Sequence, residues 1–215
     1  ELEKRINYSD FIIHLAAVNR PKNKELFKEV NINLTKYICN SLENKLTKTP
    51  LLFVSSIQAT LKNEYGRSKF EAEKIVTELY EKNKNPVFIC RLPGVFGKWC
   101  KPNYNSVVST FCYNAINNFD LKIEEPNKKL TLVYIDDVLK SFFNCLKVKK
   151  KGLYEIEVKP KHNIKLKDLA KKIDLFNKNR EKLIIDNVGK GFNRKLYATF
   201  ISFLKEERFE YPLKE

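Results

Sequence analysis

Methionine is absent from these 215 residues, tryptophan occurs once, histidine twice and glycine only six times. Each shortage excludes something. Two histidines and five scattered cysteines (Cys39, Cys90, Cys100, Cys112 and Cys145), none in a C-x-x-C pair, make neither a zinc site nor a disulfide framework. No metal is expected, and reduced thiols of a cytoplasmic protein are. The longest apolar run, Phe11 to Val18, is short and broken by His14, so no membrane insertion is expected. The N-terminal residues Glu1 to Arg5 carry charges where a secretory leader needs apolar side chains. With glutamate first and no methionine anywhere, the stretch is expected to belong to a longer chain.

Acidic residues are also in deficit, 26 against 41 basic ones, for a net charge of +15. The excess is almost all lysine spread along the chain, with one short run, Lys149 to Lys151. Arginine, the better reader of phosphates and bases, is scarce. A nucleic-acid partner is therefore not expected. With 43% hydrophobic and 31% charged residues, the composition is that of a globular domain.

The order of elements is informative. Phe11–Ala16, Leu51–Val54 and Val87–Leu92 are short apolar runs and read as buried strands. Between them, Phe27, Val30, Leu34, Ile38 and Leu42 recur at helical spacing, and a second helix from about Gly66 carries Ala72, Ile75, Val76 and Leu79. Strand, helix, strand, helix, strand with all-apolar strands predicts a doubly wound parallel sheet, an α/β Rossmann-like fold. Further on, Val107–Ile116 reads as a helix and Leu130–Ile135 as a strand. Asp136-Asp137 should cap a helix through Leu146, followed by a strand Leu153–Val158 and a helix around Leu166 to Ile173. The last forty residues read as irregular. This divides the chain into a core domain, residues 1–150, and a C-terminal region, residues 151–215. In such a sheet, ligands sit outside the carboxyl ends of the strands. His14–Asn19, Ser55–Gln58 and Leu92–Trp99 are thus expected to line one crevice.

Tyr65 and Lys69 stand four apart, on one face of a helix that starts beside that crevice. An ammonium near a phenol lowers its pKa and gives a general acid or base. Tyr80 and Lys84 have the same spacing, but Tyr80 falls on the apolar helix face and is assigned to packing. Ser56, nine residues before Tyr65 at a strand end, can hydrogen-bond the substrate oxygen that the tyrosine protonates.

Several motifs follow one another in a familiar order. They are His14-Leu15-Ala16-Ala17, Asn31, Ser55-Ser56, Tyr65-x-x-x-Lys69, Arg91 through Gly97 (Arg-Leu-Pro-Gly-Val-Phe-Gly) and Val133-Tyr134-Ile135-Asp136-Asp137. Together they resemble the extended short-chain dehydrogenase/reductases, the epimerase/dehydratase family acting on nucleotide sugars. Val18 to Pro21, Ser56 to Thr60, Phe96 to Ser106, Phe111 to Tyr113, Tyr197 to Thr199 and Tyr211 to Leu213 are similar, more narrowly, to reductase domains of capsule-assembly enzymes.

The resemblance implies a reductase of a UDP-linked 4-keto-6-deoxy-N-acetylhexosamine in capsule or surface polysaccharide synthesis. Its product would be of the UDP-N-acetyl-6-deoxy-talosamine type. Tyr65 would be the acid, Ser56 would orient the carbonyl, and Lys69 would hold the nicotinamide ribose and depress the tyrosine pKa. Leu15, Ala16 and Ala17 would meet the cofactor by backbone contact, and Pro93, Gly94 and Val95 would lie at its nicotinamide end, with NADP(H) expected before NAD(H). Gln58, Lys98, Trp99, Asn103 and Asn105, with Ser56, would hold the UDP-sugar. Asn31 is implied to bond backbone rather than catalyse, and His14 reads as a satisfied strand histidine. A homodimer and a C-terminal cupin domain in the full-length protein are implied too.

Three features depart from the family pattern. Its glycine-rich phosphate turn is not among these residues, which resemble a core lacking its first βαβ unit. Gly94 replaces a usual asparagine, and Ser56-Ile57-Gln58 stands where the sugar dehydratases place Thr-Asp-Glu, which disfavours dehydration. An epimerase that retains its cofactor stays open as an alternative, as does a non-catalytic sensor on the same scaffold.

Overall fold

The computed structural model describes residues 1–148, 150–184 and 187–209. Lys149 of the lysine run and the Tyr211–Leu213 motif lie outside the described residues. The chain forms two compact units, each assembled from two segments: Glu1–Pro93 with Leu139–Val158, and Gly94–Val138 with Lys159–Glu215. The division therefore does not fall at residue 150.

The first unit is built on a four-stranded parallel sheet in the order β1-β2-β3-β6: Ile12–His14, Leu51–Ser56, Val87–Leu92 and Leu153–Glu155. Leu51, Leu52 and Phe53 of β2 are fully buried, the environment that an uninterrupted apolar strand requires. Strands β1 and β6 are shorter than the apolar runs that predict them, because Leu15 to Ala17 are already exposed and the chain leaves the ladder after Glu155. A short helix α1 (Leu2–Tyr8), not expected from the residue pattern, buries Ile6.

The helix predicted from Phe27 is two helices in one. Phe27–Asn33 is a π-helix, and only Leu34–Glu43 (α2) is α-helical. Helix α3 (Glu64–Asn83) starts on Asn63, whose side chain accepts from the Gly66 N–H at 2.7 Å. It ends on Lys84 in the left-handed conformation, with the ammonium 5.2 Å from the centre of the Tyr80 ring. That pair is packing and a cap. Ile38, Leu42, Phe53, Val76, Leu79 and Val87 form the core of this unit.

The second unit has its own three-stranded sheet. β4 (Gly94–Phe96) runs parallel to β5 (Lys129–Tyr134), which pairs antiparallel with β7 (His162–Lys165). Helices α4 (Val107–Ile116), α6 (Leu166–Glu181) and α7 (Gly191–Ile201) close its core around Phe96, Phe111, Leu132, Ile173 and Phe200. So, among the described residues, the last forty include the end of α6 and all of α7: Phe176, Tyr197 and Phe200, which give the stretch its aromatic look, are the contact between these two helices. Helix α5 (Ile135–Cys145) starts one residue before the predicted cap, so Asp136 and Asp137 lie in its first turn. There their charge still favours the helix, by the dipole rather than by capping.

Candidate active site

In the first unit, the parallel register sets His14 level with Phe53 and Ser56 level with Leu92. The carboxyl ends of three adjacent strands therefore open onto one side, as the sequence predicts for His14, Ser55-Ser56 and Leu92-Pro93. The rest of the third predicted loop, Gly94 to Trp99, belongs to the second unit.

Ser56 ends β2 and caps the 3-10 turn Ile57–Thr60, its Oγ accepting from the Gln58 N–H at 3.2 Å. That turn lies directly under the start of α3. A Cβ built on Gly66 would stand 2.1 Å from the Gln58 carbonyl oxygen and 2.8 Å from that of Leu61. Only glycine lets the two backbones approach so closely, and this approach brings Tyr65 to Ser56. Burial raises the Tyr65 phenol above its ordinary pKa, and hydrogen bonding with the Ser56 side chain draws it part of the way back.

Lys69 sits one helical turn further on and is 2% exposed. Its Nζ donates to the Val54 carbonyl at 2.6 Å and lies 4.3 Å from the centre of the Phe53 ring. Burial pulls this ammonium down to about 8, against the opposing pull of the Glu73 carboxylate. The expectation that Lys69 depresses the tyrosine pKa is thus not met in this structure. The ammonium is directed at the strand carbonyl, and desolvation governs the phenol.

Glu73, buried on the next turn of α3, takes a bidentate pair from Arg91 Nε (2.9 Å) and Nη2 (2.6 Å). The pair ties the end of β3 to α3 while Glu73 faces Lys69. Sequence reasoning missed it, although Lys69 and Glu73 are themselves four apart.

The loop after β1 is fixed by Asn31. Its Oδ1 accepts from the Val18 N–H at 2.8 Å, and its Nδ2 donates to the Val18 carbonyl at 2.9 Å and to Ser68 Oγ at 2.9 Å. Ser68 Oγ in turn donates to the Tyr65 carbonyl at 2.8 Å. One amide therefore links the exposed Leu15–Ala17 loop to the first turn of α3, through the π-helix that carries Asn31. Behind it, His14 Nε2 and Thr35 Oγ1 are 2.9 Å apart, as a satisfied strand histidine should be.

His14 is pulled down to about 4, first by burial and then by the Lys69 charge. Between that value and 6.5 the unfolded chain binds a proton that the folded chain does not, so stability falls as the pH drops through this window. We expect a loss on the order of 3 kcal/mol from this group. Denaturant titrations from pH 4 to 7 check it: His14→Gln should flatten the slope, and an unchanged slope would refute the assignment.

The remaining predicted residues are distributed as follows. Gln58 is exposed and its side chain accepts from Asn63 Nδ2 at 3.4 Å. Pro93 is buried at the end of β3. Gly94 and Val95 are in β4, opposite Leu132 and Val133 of β5. In the second unit Trp99 is 88% exposed, with Lys98 Nζ 4.8 Å from its ring centre. Asn103 and Asn105 are exposed in the same loop, and the Asn103 N–H donates to Thr110 Oγ1 at 3.0 Å. The structure thus gathers Ser56, Tyr65 and Lys69 in one unit and sets Lys98, Trp99, Asn103 and Asn105 in the other.

Residues 1–156 match the model of the NAD dependent epimerase/dehydratase family. Over 99% of its length the chain is 43% identical to UDP-2-acetamido-2,6-beta-L-arabino-hexul-4-ose reductase of Pseudomonas aeruginosa, of which it covers 57%. The crystal structure of the capsular polysaccharide assembling protein CapF from Staphylococcus aureus superposes with a TM-score of 0.85 at 33% identity, again over 99% of this chain and 57% of that one. A UDP-glucuronic acid 4-epimerase from Bacillus cereus shares the fold alone, with a TM-score of 0.80 at 14% identity over 94% of this chain and 78% of that one. The chain spans somewhat more than half the length of the first two.

Proposed function

Because the chain belongs to the NAD dependent epimerase/dehydratase family, we propose that it is the reductase part of an enzyme that converts a UDP-linked 4-keto-6-deoxy-N-acetylhexosamine to the 4-hydroxy sugar for capsule or surface polysaccharide. The observation that carries this reading is the Tyr65 phenol at the start of α3, its pKa raised by burial and drawn partly back by Ser56 at the carboxyl end of β2. Reduction of a ketone needs one hydride at carbon and one proton at oxygen, and a phenol with a raised pKa is a proton donor.

The residues fit a nicotinamide dinucleotide. Among the described residues, Ser55 Oγ and Asn19 Oδ1 are buried without a hydrogen-bond partner, one at the end of β2 and one in the loop after β1. Leu15 to Ala17, just before Asn19 in the same loop, are exposed. Lys69 uses one of its three N–H donors on Val54, which leaves two for ribose hydroxyls. In reduced form the cofactor supplies the hydride, and NADPH is our proposed donor. Leu15 to Ala17, Lys69 and Pro93 to Val95 would hold it. Ser56 would orient the ketone oxygen and Tyr65 would protonate it. Gln58, Lys98, Trp99, Asn103 and Asn105 would contact the UDP-sugar.

The homodimer and the C-terminal cupin belong to the same proposal, as does a cytoplasmic location. Among the described residues no helix is long and apolar enough to cross a membrane, and all five cysteines are free.

The test is turnover by the chain as its cell makes it, given the UDP-4-keto sugar with NADPH, with NADH or with neither. Stoichiometric oxidation of the added nicotinamide supports the reductase. Sugar conversion without it would show an epimerase, and no conversion under any condition would leave a binding protein on an enzyme scaffold.

A further inference from the structure

The second unit carries a feature that the proposed reaction does not use. An open cleft of about 850 Å³ lies where β5 and β7 meet α6 and α7, within the size range of small-molecule sites. Lys129, Lys165, Lys171 and Lys172 line it, against one carboxylate, that of Asp168.

The arrangement is costly. Lys129 and Lys165 are directly opposite each other on neighbouring strands, a position where like charges destabilise a sheet. Two more lysines from α6 face the same space. Among the described residues none of Lys129, Lys165 and Lys171 has an acidic partner, while Lys172 is steadied by Asn193 Oδ1 at 3.2 Å. Asn163 uses its carbonyl oxygen on Thr131 Oγ1 at 2.9 Å, so its amide N–H groups are left to donate. The cleft offers donors and positive charge and has almost nothing to neutralise them.

The floor is different in kind. Ile164, Leu175 and Phe192 give it an apolar surface. Phe192 is held in place by His162, at a ring-centre distance of 4.9 Å, and edge-on by Phe96 at 5.7 Å. A bare inorganic anion would use the lysines and leave this floor in water. A ligand with several negative charges and an attached ring uses both.

We infer that this cleft binds a nucleoside polyphosphate or a close chemical relative, with the phosphates on Lys129, Lys165, Lys171 and Lys172 and the ring against Leu175 and Phe192. Lysine ammonium groups neutralise phosphate as point charges, and a ring on an aromatic floor supplies the remainder. The inference rests on the second unit alone and is independent of the reductase reading.

The test is a titration of the chain with magnesium-free ATP and, separately, with inorganic tripolyphosphate, followed by NMR of the Ile164 and Leu175 methyl groups. Adenine keeps the readout apart from a uridine diphosphate site. We expect saturable shifts of both methyl groups with ATP, at a concentration at least tenfold below that needed with tripolyphosphate. The double variant Lys165→Glu/Lys171→Glu, two exposed positions, should weaken ATP binding at least tenfold and leave the rest of the spectrum in place. Equal binding of the two probes would reduce the cleft to a solvated lysine surface and overturn the inference. Unsaturable shifts, or a double variant that binds ATP like the parent, would overturn it as well.

Discussion

Tyr65→Phe should lower the rate of 4-keto sugar reduction by about 10²- to 10⁴-fold, the range for loss of a positioned proton donor. The change removes one oxygen. The ring stays, and with it the contact to Phe27, whose ring centre is 6.3 Å away. Ser56 keeps its own role, because its Oγ accepts from the Gln58 N–H whether or not the phenol is present. The turn below the helix therefore holds, and thermal unfolding should stay close to that of the parent. The loss should fall on kcat and leave KM for the UDP-sugar nearly unchanged, since the proton is needed only as charge develops on the ketone oxygen. Steady-state kinetics with NADPH measure this. A variant that keeps full activity would remove Tyr65 from the reaction, whatever its position.

Gly66→Ala should lower stability by about 3 kcal/mol. The new Cβ would meet backbone oxygens of Gln58 and Leu61, at 2.1 and 2.8 Å, and neither can swing aside like a side chain. To make room, the 3-10 turn and the first turn of α3 must separate, and Tyr65 leaves Ser56. Activity should fall with stability, unlike Tyr65→Phe, where the two part company. Gly189→Ala is the internal control, because nothing lies within 4 Å of a Cβ there. Urea denaturation of the two variants beside the parent decides it. If Gly66→Ala unfolds with the parent's midpoint, the close approach is not what places the tyrosine.

How much of this the sequence discloses depends on how local each feature is. β2 is legible because a fully buried parallel strand must be apolar at every position, and Leu51 to Val54 are. Tyr65 and Lys69 are legible because four residues make one helical turn. The π-helix is not, since Phe27, Val30 and Leu34 fit an α-helical face just as well, and the extra residue per turn is set by the bonds of Asn31 to Val18. Strand β4 is too short, and β7 too short and too polar, to show periodicity, and each pairs with β5. Helix α7 hides behind a glycine and two basic residues, and its buried face becomes apparent only against Phe176 of α6. The direction of the Tyr65 shift is not legible either, for a related reason. Helical spacing places Lys69 near the phenol, but the Val54 carbonyl that claims its ammonium comes from another strand.

The discontinuous make-up of the first unit sets a timetable for the growing chain. β3 emerges from the ribosome with β2 already beside it, but its other neighbour, β6, follows only after the whole excursion through β4, α4 and β5. Ile89 waits 66 residues for Glu155, which at about 5–20 residues per second is several seconds of synthesis. For that time the outer edge of β3 is an open template, with Phe88 and Ile89 beside it and no strand to cover it. The first unit is complete once residue 158 has emerged, whereas the second still lacks β7, α6 and α7. A ribosome paused within that excursion would present nascent chains able to pair with one another through β3, and translation speed over codons 94–152 thus sets how long that edge stays open.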